Sequence, residues 1–130
     1  MVKDILDVAR SIFERRDVII KNRKEKCDQL AKYFEGIAET LQQLADSIKV
    51  NQVAQGKVAQ LATYADLLPQ SVGNELKLMD VEELTRRLKR SYNLRSLKSE
   101  VKKDPQRVIS QIEEASGVFQ ALGASCRIHY

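Results

Sequence analysis

The sequence is poor in the residues that interrupt regular structure. Its 130 residues include five Gly and two Pro, and Trp is absent. Because Gly and Pro are scarce, we expect long uninterrupted elements. Aromatic residues make up 5%, so the core must come from Leu, Ile, Val and Ala; these, with abundant Glu, Lys, Gln and Arg, favour helix over strand. We expect one all-α domain over residues 1–130, folded as an antiparallel bundle of four or five helices.

The residues of common catalytic and metal sites are also scarce. His129, the penultimate residue, is the single histidine, and chain ends are commonly frayed. The sequence has no Gly-rich phosphate loop, HExxH motif or paired-cysteine motif. Glu35 and Glu39 are four residues apart, but a metal site in a bundle needs further carboxylates and inward histidines, so we interpret them as a solvated face. We expect no enzymatic activity, no metal, no cofactor and no small-molecule substrate.

The two cysteines and the N-terminal segment bear on the cellular compartment. Cys27 and Cys126 are far apart and lack metal-ligand spacing, which favours two reduced thiols and leaves a disulfide between them open. No apolar run approaches the ~18 residues that span a bilayer. Acidic residues inside MVKDILDVARSIFERR argue against a secretory signal. We expect a cytoplasmic protein, with peripheral association at the inner membrane surface as a further option.

An apolar stripe with helical period runs through the first fifty residues. At 100° per residue, these positions share one face: Ile5, Ala9, Ile12, Cys27, Leu30, Phe34, Ile37, Leu41, Ala45 and Ile48. One helix over residues 2–50 would be roughly 70 Å long, which a compact domain does not accommodate. We expect a break inside Lys21–Lys26, with helices over about 2–20 and 24–50 and Asn22 as the helix-ending residue. A single elongated helix is the alternative.

Three further helices are predicted after residue 50. A short amphipathic helix over 57–68 should stop at Pro69, before a loop at 70–74, QSVGN. Asp80 has the position of an N-cap, with Met79 and Leu84 spaced as a hydrophobic staple. The helix over 80–103 should break near Asn93, because its apolar residues occupy two different faces. The last helix should cover 105–122 and end at Gly123, leaving SCRIHY as a tail.

The predicted core combines the N-terminal stripe with apolar positions of the later helices. Those positions are Leu61, Leu68, Leu84, Leu88, Ile112, Phe119 and Leu122.

The net charge of +4 is distributed unevenly. Residues 15–26 have six basic and two acidic side chains, residues 27–83 have four and nine, and residues 84–103 have eight and one. Such polarity is informative about partners rather than fold. We therefore predict a binding surface for an anionic partner formed by Lys21, Arg23, Lys24, Lys26, Arg86, Arg87, Lys89, Arg90, Arg95 and Lys98, with a plain solvated face as the alternative.

Residues 22–44, NRKEKCDQLAKYFEGIAETLQQL, resemble the second-helix region of HeLo-like four-helix bundles, which include the N-terminal bundle of the mixed-lineage kinase domain-like protein and plant and bacterial relatives. The likeness consists of a basic run, Cys27, then Leu30-Ala31, then Leu41 and Leu44, preceded by the amphipathic VARSIFERR. It implies a cell-death or immune module that self-associates and binds anionic membranes. Lys21–Lys26 would be its lipid contacts, and the 30–48 stripe its bundle core.

Three functions remain open from the sequence. The leading hypothesis is a non-enzymatic helical module whose basic surface binds an anionic partner, with an acidic membrane surface as one such partner. The alternative is a protein–protein adaptor, scaffold domain or structural subunit, in which another protein or a second copy is the partner. Nucleic-acid binding is less favoured, because few aromatic residues are available to stack on bases. The sequence does not distinguish a whole protein from a domain of a longer chain.

Overall fold

The computed structural model describes residues 2–76 and 80–128, and these residues are helical with no strand among them. The all-α prediction is confirmed, but the described residues form eight helices rather than four or five. Their bounds are α1 Val2–Glu14, α2 Arg16–Ile20, α3 Lys24–Lys49, α4 Gln55–Asp66, α5 Leu68–Val72, α6 Val81–Ser91, α7 Leu94–Lys103 and α8 Pro105–Arg127. The hydrophobic staple predicted between Met79 and Leu84 involves a residue outside the described ranges, and the tail residue His129 also lies outside them.

The longest helices, α3 and α8, pack side by side in opposite directions. The hydroxyl of Ser116 donates to the carbonyl oxygen of Ala38 over 2.7 Å, and the Gln42 amide donates to Glu113 over 3.0 Å. Along α3 the residue numbers of these contacts rise while along α8 they fall, so the pair is antiparallel. Phe34 and Phe119, both fully buried, stack between the two helices with ring centroids 6.2 Å apart. The predicted core, including the whole N-terminal stripe, is buried.

The break inside Lys21–Lys26 is confirmed, since α2 ends at Ile20 and α3 begins at Lys24. The side-chain amide of Asn22 donates to the carbonyl oxygen of Ile19 over 2.8 Å, which satisfies an acceptor at the end of α2. The single helix predicted over 2–20 is wrong, because it is interrupted at Arg15. There the Arg15 N–H bonds the Ile12 carbonyl, three residues back, over 2.9 Å, and this tighter turn interrupts the α-helical hydrogen-bond pattern.

The predicted loop at 70–74 is wrong for its first three residues, which belong to α5. Pro69 lies in the first turn of α5, where a missing N–H removes no hydrogen bond. The helix before it runs over Gln55–Asp66 rather than 57–68. Pro69 therefore belongs to the start of a helix, and α4 already ends three residues before it.

The break near Asn93 and the N-cap predicted at Asp80 are confirmed, and Asn93 and Asp104 also act as polar caps. Asp80 accepts from the Glu83 N–H over 3.0 Å, Asn93 from the Ser96 N–H over 3.0 Å, and Asp104 from the Arg107 N–H over 3.1 Å. Each cap satisfies one of the free N–H groups of a first helical turn.

The predicted end of α8 at Gly123 is wrong, since α8 continues to Arg127. Gly123 is buried against α3, where an added Cβ would lie 2.9 Å from Cγ of Glu35 and 3.3 Å from the carbonyl oxygen of Ala31. The glycine allows the two helices to approach closely and does not terminate α8.

Gly117 and Gly123 offer a matched test of this close approach. Alanine is favoured over glycine inside a helix, so Gly117→Ala, whose Cβ would meet nothing within 4 Å, should raise the free energy of unfolding by about 0.5–1 kcal/mol. Gly123→Ala should lower it by roughly 1–3 kcal/mol, because the methyl group would push Glu35 and α3 away. Urea denaturation of both variants measures the difference, and equal stabilisation by the two substitutions would contradict the packing described.

Candidate functional site

The outward face of α7 is a row of cations. Leu97 is buried, and Leu94 and Val101 pack against the core, so the opposite side of the helix points to solvent. Its exposed side chains include Arg95, Lys98, Lys102 and Lys103. We refer to these four residues as the α7 basic face.

The single acidic residue of α7 is turned away from this face. Glu100 accepts a hydrogen bond from the Val2 N–H over 3.1 Å and lies 3.8 Å from the guanidinium of Arg107. Its charge is therefore partly compensated by other elements. Within residues 2–76 and 80–128, no hydrogen bond or ion pair connects the four cations of the α7 basic face to a carboxylate.

Arg87, predicted as part of the binding surface, instead joins α6 to α1. Its guanidinium donates to Oδ1 of Asp4 from Nε over 3.0 Å and from Nη2 over 2.8 Å, and Asp7 lies 3.5 Å away. Burial would raise the pKa of Asp4, but the hydrogen bond and positive charge of Arg87 together hold it below its ordinary value. Arg87 is accounted for by this internal contact, and we leave it out of the candidate surface.

Other predicted cations of α6 also have carboxylate partners, in exposed ion pairs. Lys89 lies 2.8 Å from Asp66 of α4, and Arg86 lies 2.7 Å from Glu83 on its own helix. Arg90 is exposed. Exposed pairs contribute only about 0–1 kcal/mol, so an external anion can compete for Lys89 and Arg86, but α6 does not present a face of cations alone.

The predicted cations from Lys21 to Lys26 form a second basic region, on the turn between α2 and α3 and the first turn of α3. Lys21, Arg23 and Lys24 are exposed, while Lys26 is more enclosed and lies 4.0 Å from Glu75. Because α3 is antiparallel to α8, this turn lies at the C-terminal end of α8, whereas Lys103 directly precedes its N-terminal end. A helix of this length spans roughly 35 Å, so the two regions do not merge at these points.

Sequence reasoning missed Lys102 and Lys103 as members of the surface. A signal was available, since Arg95, Lys98 and Lys102 have the i, i+3, i+7 spacing of one helical face. The face can be identified with certainty only when the buried side of α7 is known.

The glutamates considered as metal ligands have other partners. Glu35 receives hydrogen bonds from Arg127 over 2.6 and 2.8 Å, and these bonds lower its pKa. Glu39 lies 3.4 Å from the amide of Gln43. Among the residues described, no group of His, Cys, Asp and Glu side chains is arranged to hold a metal ion.

None of the described helices is sufficiently long and apolar to cross a membrane. Comparison of the chain with protein-family models, with curated proteins and with solved structures gave no match. The resemblance of residues 22–44 to HeLo-like bundles therefore stays a prediction.

The role of Arg87 can be tested by neutralising it. Arg87→Gln should lower the free energy of unfolding by about 1–2 kcal/mol at pH 7, because the half-buried Asp4 loses a charged hydrogen-bond donor. The pKa of Asp4 lies below its ordinary value in the folded state, so this stabilisation is present above about pH 4 and is lost as the pH falls through the folded-state pKa. Urea denaturation at several pH values measures both effects.

The matched control is Arg95→Gln, which removes an exposed cation of α7 and should change stability by less than about 0.5 kcal/mol. A deficit for Arg87→Gln that persists unchanged in strong acid, or an equal deficit for the control, would contradict this role.

Proposed function

We propose that the chain is a non-enzymatic helical module that binds an acidic membrane surface through the α7 basic face. The observation that supports this proposal is the separation of charges on α7: its cations point outward and Glu100 points inward. A short helix that presents only positive charge is suited to a surface of phosphate and carboxylate headgroups.

The expected strength of binding follows from the number of exposed cations. Each Lys or Arg near an anionic bilayer contributes about 1 kcal/mol. The four cations of the α7 basic face would together contribute about 4 kcal/mol, or roughly a thousandfold in partitioning. Binding of this kind is reversible and sensitive to salt. It requires no insertion, in keeping with the polar outward side of α7.

This site differs from the one that the HeLo-like resemblance implies. That resemblance assigns lipid contacts to Lys21–Lys26, at the other end of α8. Both assignments lead to association with an acidic membrane, including the inner membrane surface, and they are distinguished by which cations are needed. We favour α7 because Lys26 is half-buried beside Glu75 and Lys24 has an interaction within the chain.

A second candidate function, docking of another protein's helix, is favoured by an apolar groove between α1 and α8. Phe13, Val118, Gly117 and Ala121 line it, with Glu114 at one edge, and it encloses about 310 Å³. The residues that α8 contributes, from Glu114 to Ala121, cover only about two helical turns, which is a short contact for a docked helix, so we rank the adaptor function second. Nucleic-acid binding is ranked third, because the α7 basic face includes no aromatic side chain to stack on bases.

Co-sedimentation with vesicles tests the leading proposal. The chain should bind phosphatidylserine-containing vesicles at low salt and release them at high salt, because salt screens charge attraction. It should not bind neutral phosphatidylcholine vesicles, because these have no net negative charge. Reversing three charges together, Arg95→Glu, Lys98→Glu and Lys102→Glu, should weaken binding by roughly a hundredfold or more.

The matched control reverses three cations elsewhere: Lys3→Glu, Lys32→Glu and Lys57→Glu lie on α1, α3 and α4. Both triple variants have the same net charge. If binding depends on the α7 basic face rather than on net charge, the control should retain most of the binding. Equal losses would indicate a nonspecific charge effect, and selective loss with Lys21→Glu, Arg23→Glu and Lys24→Glu would move the site to the α2–α3 turn. Absence of binding to anionic vesicles at low salt would overturn the proposal.

A further inference from the structure

The two cysteines occupy equivalent positions at one end of the α3–α8 pair. Phe34 of α3 and Phe119 of α8 stack on each other. Cys27 precedes Phe34 by seven residues, and Cys126 follows Phe119 by seven. Seven residues are close to two helical turns and return a side chain to nearly the same face. In an antiparallel pair, these two steps lead in the same direction, so the cysteines are predicted to face each other.

A second set of contacts shows that α3 and α8 keep this register towards the cysteines. Ser116 contacts Ala38 over 2.7 Å. Seven residues further along each helix in the same direction, a Cβ on Gly123 would lie 3.3 Å from the carbonyl oxygen of Ala31. The helices therefore remain close between these layers. One turn beyond Gly123 and Ala31, Cys126 and Cys27 are both free and fully buried.

The electrostatics of the thiols agree with this placement. Burial raises the pKa of Cys126 to about 11, and the nearby Cys27 adds to the increase. Burial also raises the pKa of Cys27. Both groups are therefore protonated thiols at neutral pH, which is the form expected to persist until an oxidant reaches them.

We propose that Cys27 and Cys126 are an oxidisable pair that forms an intramolecular disulfide between the N-terminal turn of α3 and the C-terminal turn of α8. A disulfide oxidant such as oxidised glutathione supplies the electron balance. One deprotonated thiol attacks the oxidant and forms a mixed disulfide, releasing one glutathione thiolate. The second thiolate attacks the protein sulfur of that bond, releases the second glutathione, and leaves a Cys27–Cys126 bond. The protein loses two electrons and two protons, and the oxidant is reduced to two thiols.

The location allows an oxidant to reach buried sulfur. α8 ends at Arg127, one residue after Cys126, and Ile128 beyond it is 81% exposed. The last turn of a helix opens more readily than its centre, so Cys126 becomes accessible through fraying. On the other helix, Sγ of Cys27 lies 3.4 Å from the carbonyl oxygen of Asn22. The same sulfur lies 3.7 Å from the carbonyl oxygen of Ile20, so oxidation removes two weak S–H contacts at the α2–α3 turn.

The consequence of the bond is a covalent latch around most of the chain. A disulfide that closes a loop of about a hundred residues restricts the unfolded chain strongly, so the oxidised protein should unfold at a higher temperature. This inference does not depend on the proposed membrane function, because it concerns only the α3–α8 contact.

The test is oxidation of the folded, full chain with oxidised glutathione at mildly alkaline pH, followed by acid quenching and intact-mass analysis. The expected product is a monomer lighter by two hydrogen atoms, with Cys27 and Cys126 joined in one proteolytic peptide pair. Its Tm should exceed that of the reduced protein by roughly 5–15 °C, and a thiol reductant should reverse both changes. A stable double glutathione adduct, a disulfide-linked dimer, or oxidation only after unfolding would each overturn the proposal.

A register control tests whether facing positions are needed. In the Cys126→Ala background, Leu122→Cys moves the second thiol by one turn along the same buried face of α8, about 6 Å from its original level. This variant should form no intramolecular bond with Cys27 under the same conditions, since a disulfide requires Cβ atoms about 4 Å apart. Equally fast formation would show that the chain is too mobile for the register argument. If the variant does not fold, the mass measurement on the wild-type chain still tests whether the disulfide forms.

Discussion

The close packing of α3 against α8 is the contact on which the rest of the structure depends. These are the longest helices, and they supply the two largest fully buried rings, Phe34 and Phe119. With few aromatic residues elsewhere, the core relies on branched aliphatic side chains and close helix approach rather than on aromatic rings. Gly123 allows that approach, because a side chain there would meet Glu35 and the backbone of Ala31. The shorter helices cover the flanks of this pair.

The orientation of α7 follows from its place beside this pair. Asp104 and Pro105 fix the start of α8, and Asn93 fixes the start of α7. Leu97 can then be buried only if α7 presents one side to the core, and the cations on its other side are directed outward. Glu100 is drawn inward by the backbone of Val2. The basic face is thus a product of packing as much as of composition, since the same charges on a differently rotated helix would not be aligned in solvent.

The parts of the fold that sequence predicts well are those determined by near neighbours. The apolar stripe, the cap at Asp80, the break near Asn93 and the turn near Asn22 all depend on residues within a few positions. The predictions at Pro69 and Gly123 are wrong because each residue type has two uses, and only the surrounding fold selects between them. Arg87 illustrates the limit for the candidate site. Its partner Asp4 is 83 residues away, a pairing that no local pattern of charge reveals.

The cations of this chain therefore include two physical classes that net charge does not separate. Arg87 and Lys26 face carboxylates within the fold, and removing their charge affects folding before it affects any partner. Arg95, Lys98, Lys102 and Lys103 are exposed, and removing theirs affects mainly the electrostatic field outside the protein. The cysteine pair is uncharged and lies near the C-terminal end of α8, whereas Lys103 lies close to its N-terminal end. Because sites that share no contacts contribute nearly independently to stability and binding, the surface of α7 and the proposed latch are separable properties of one scaffold.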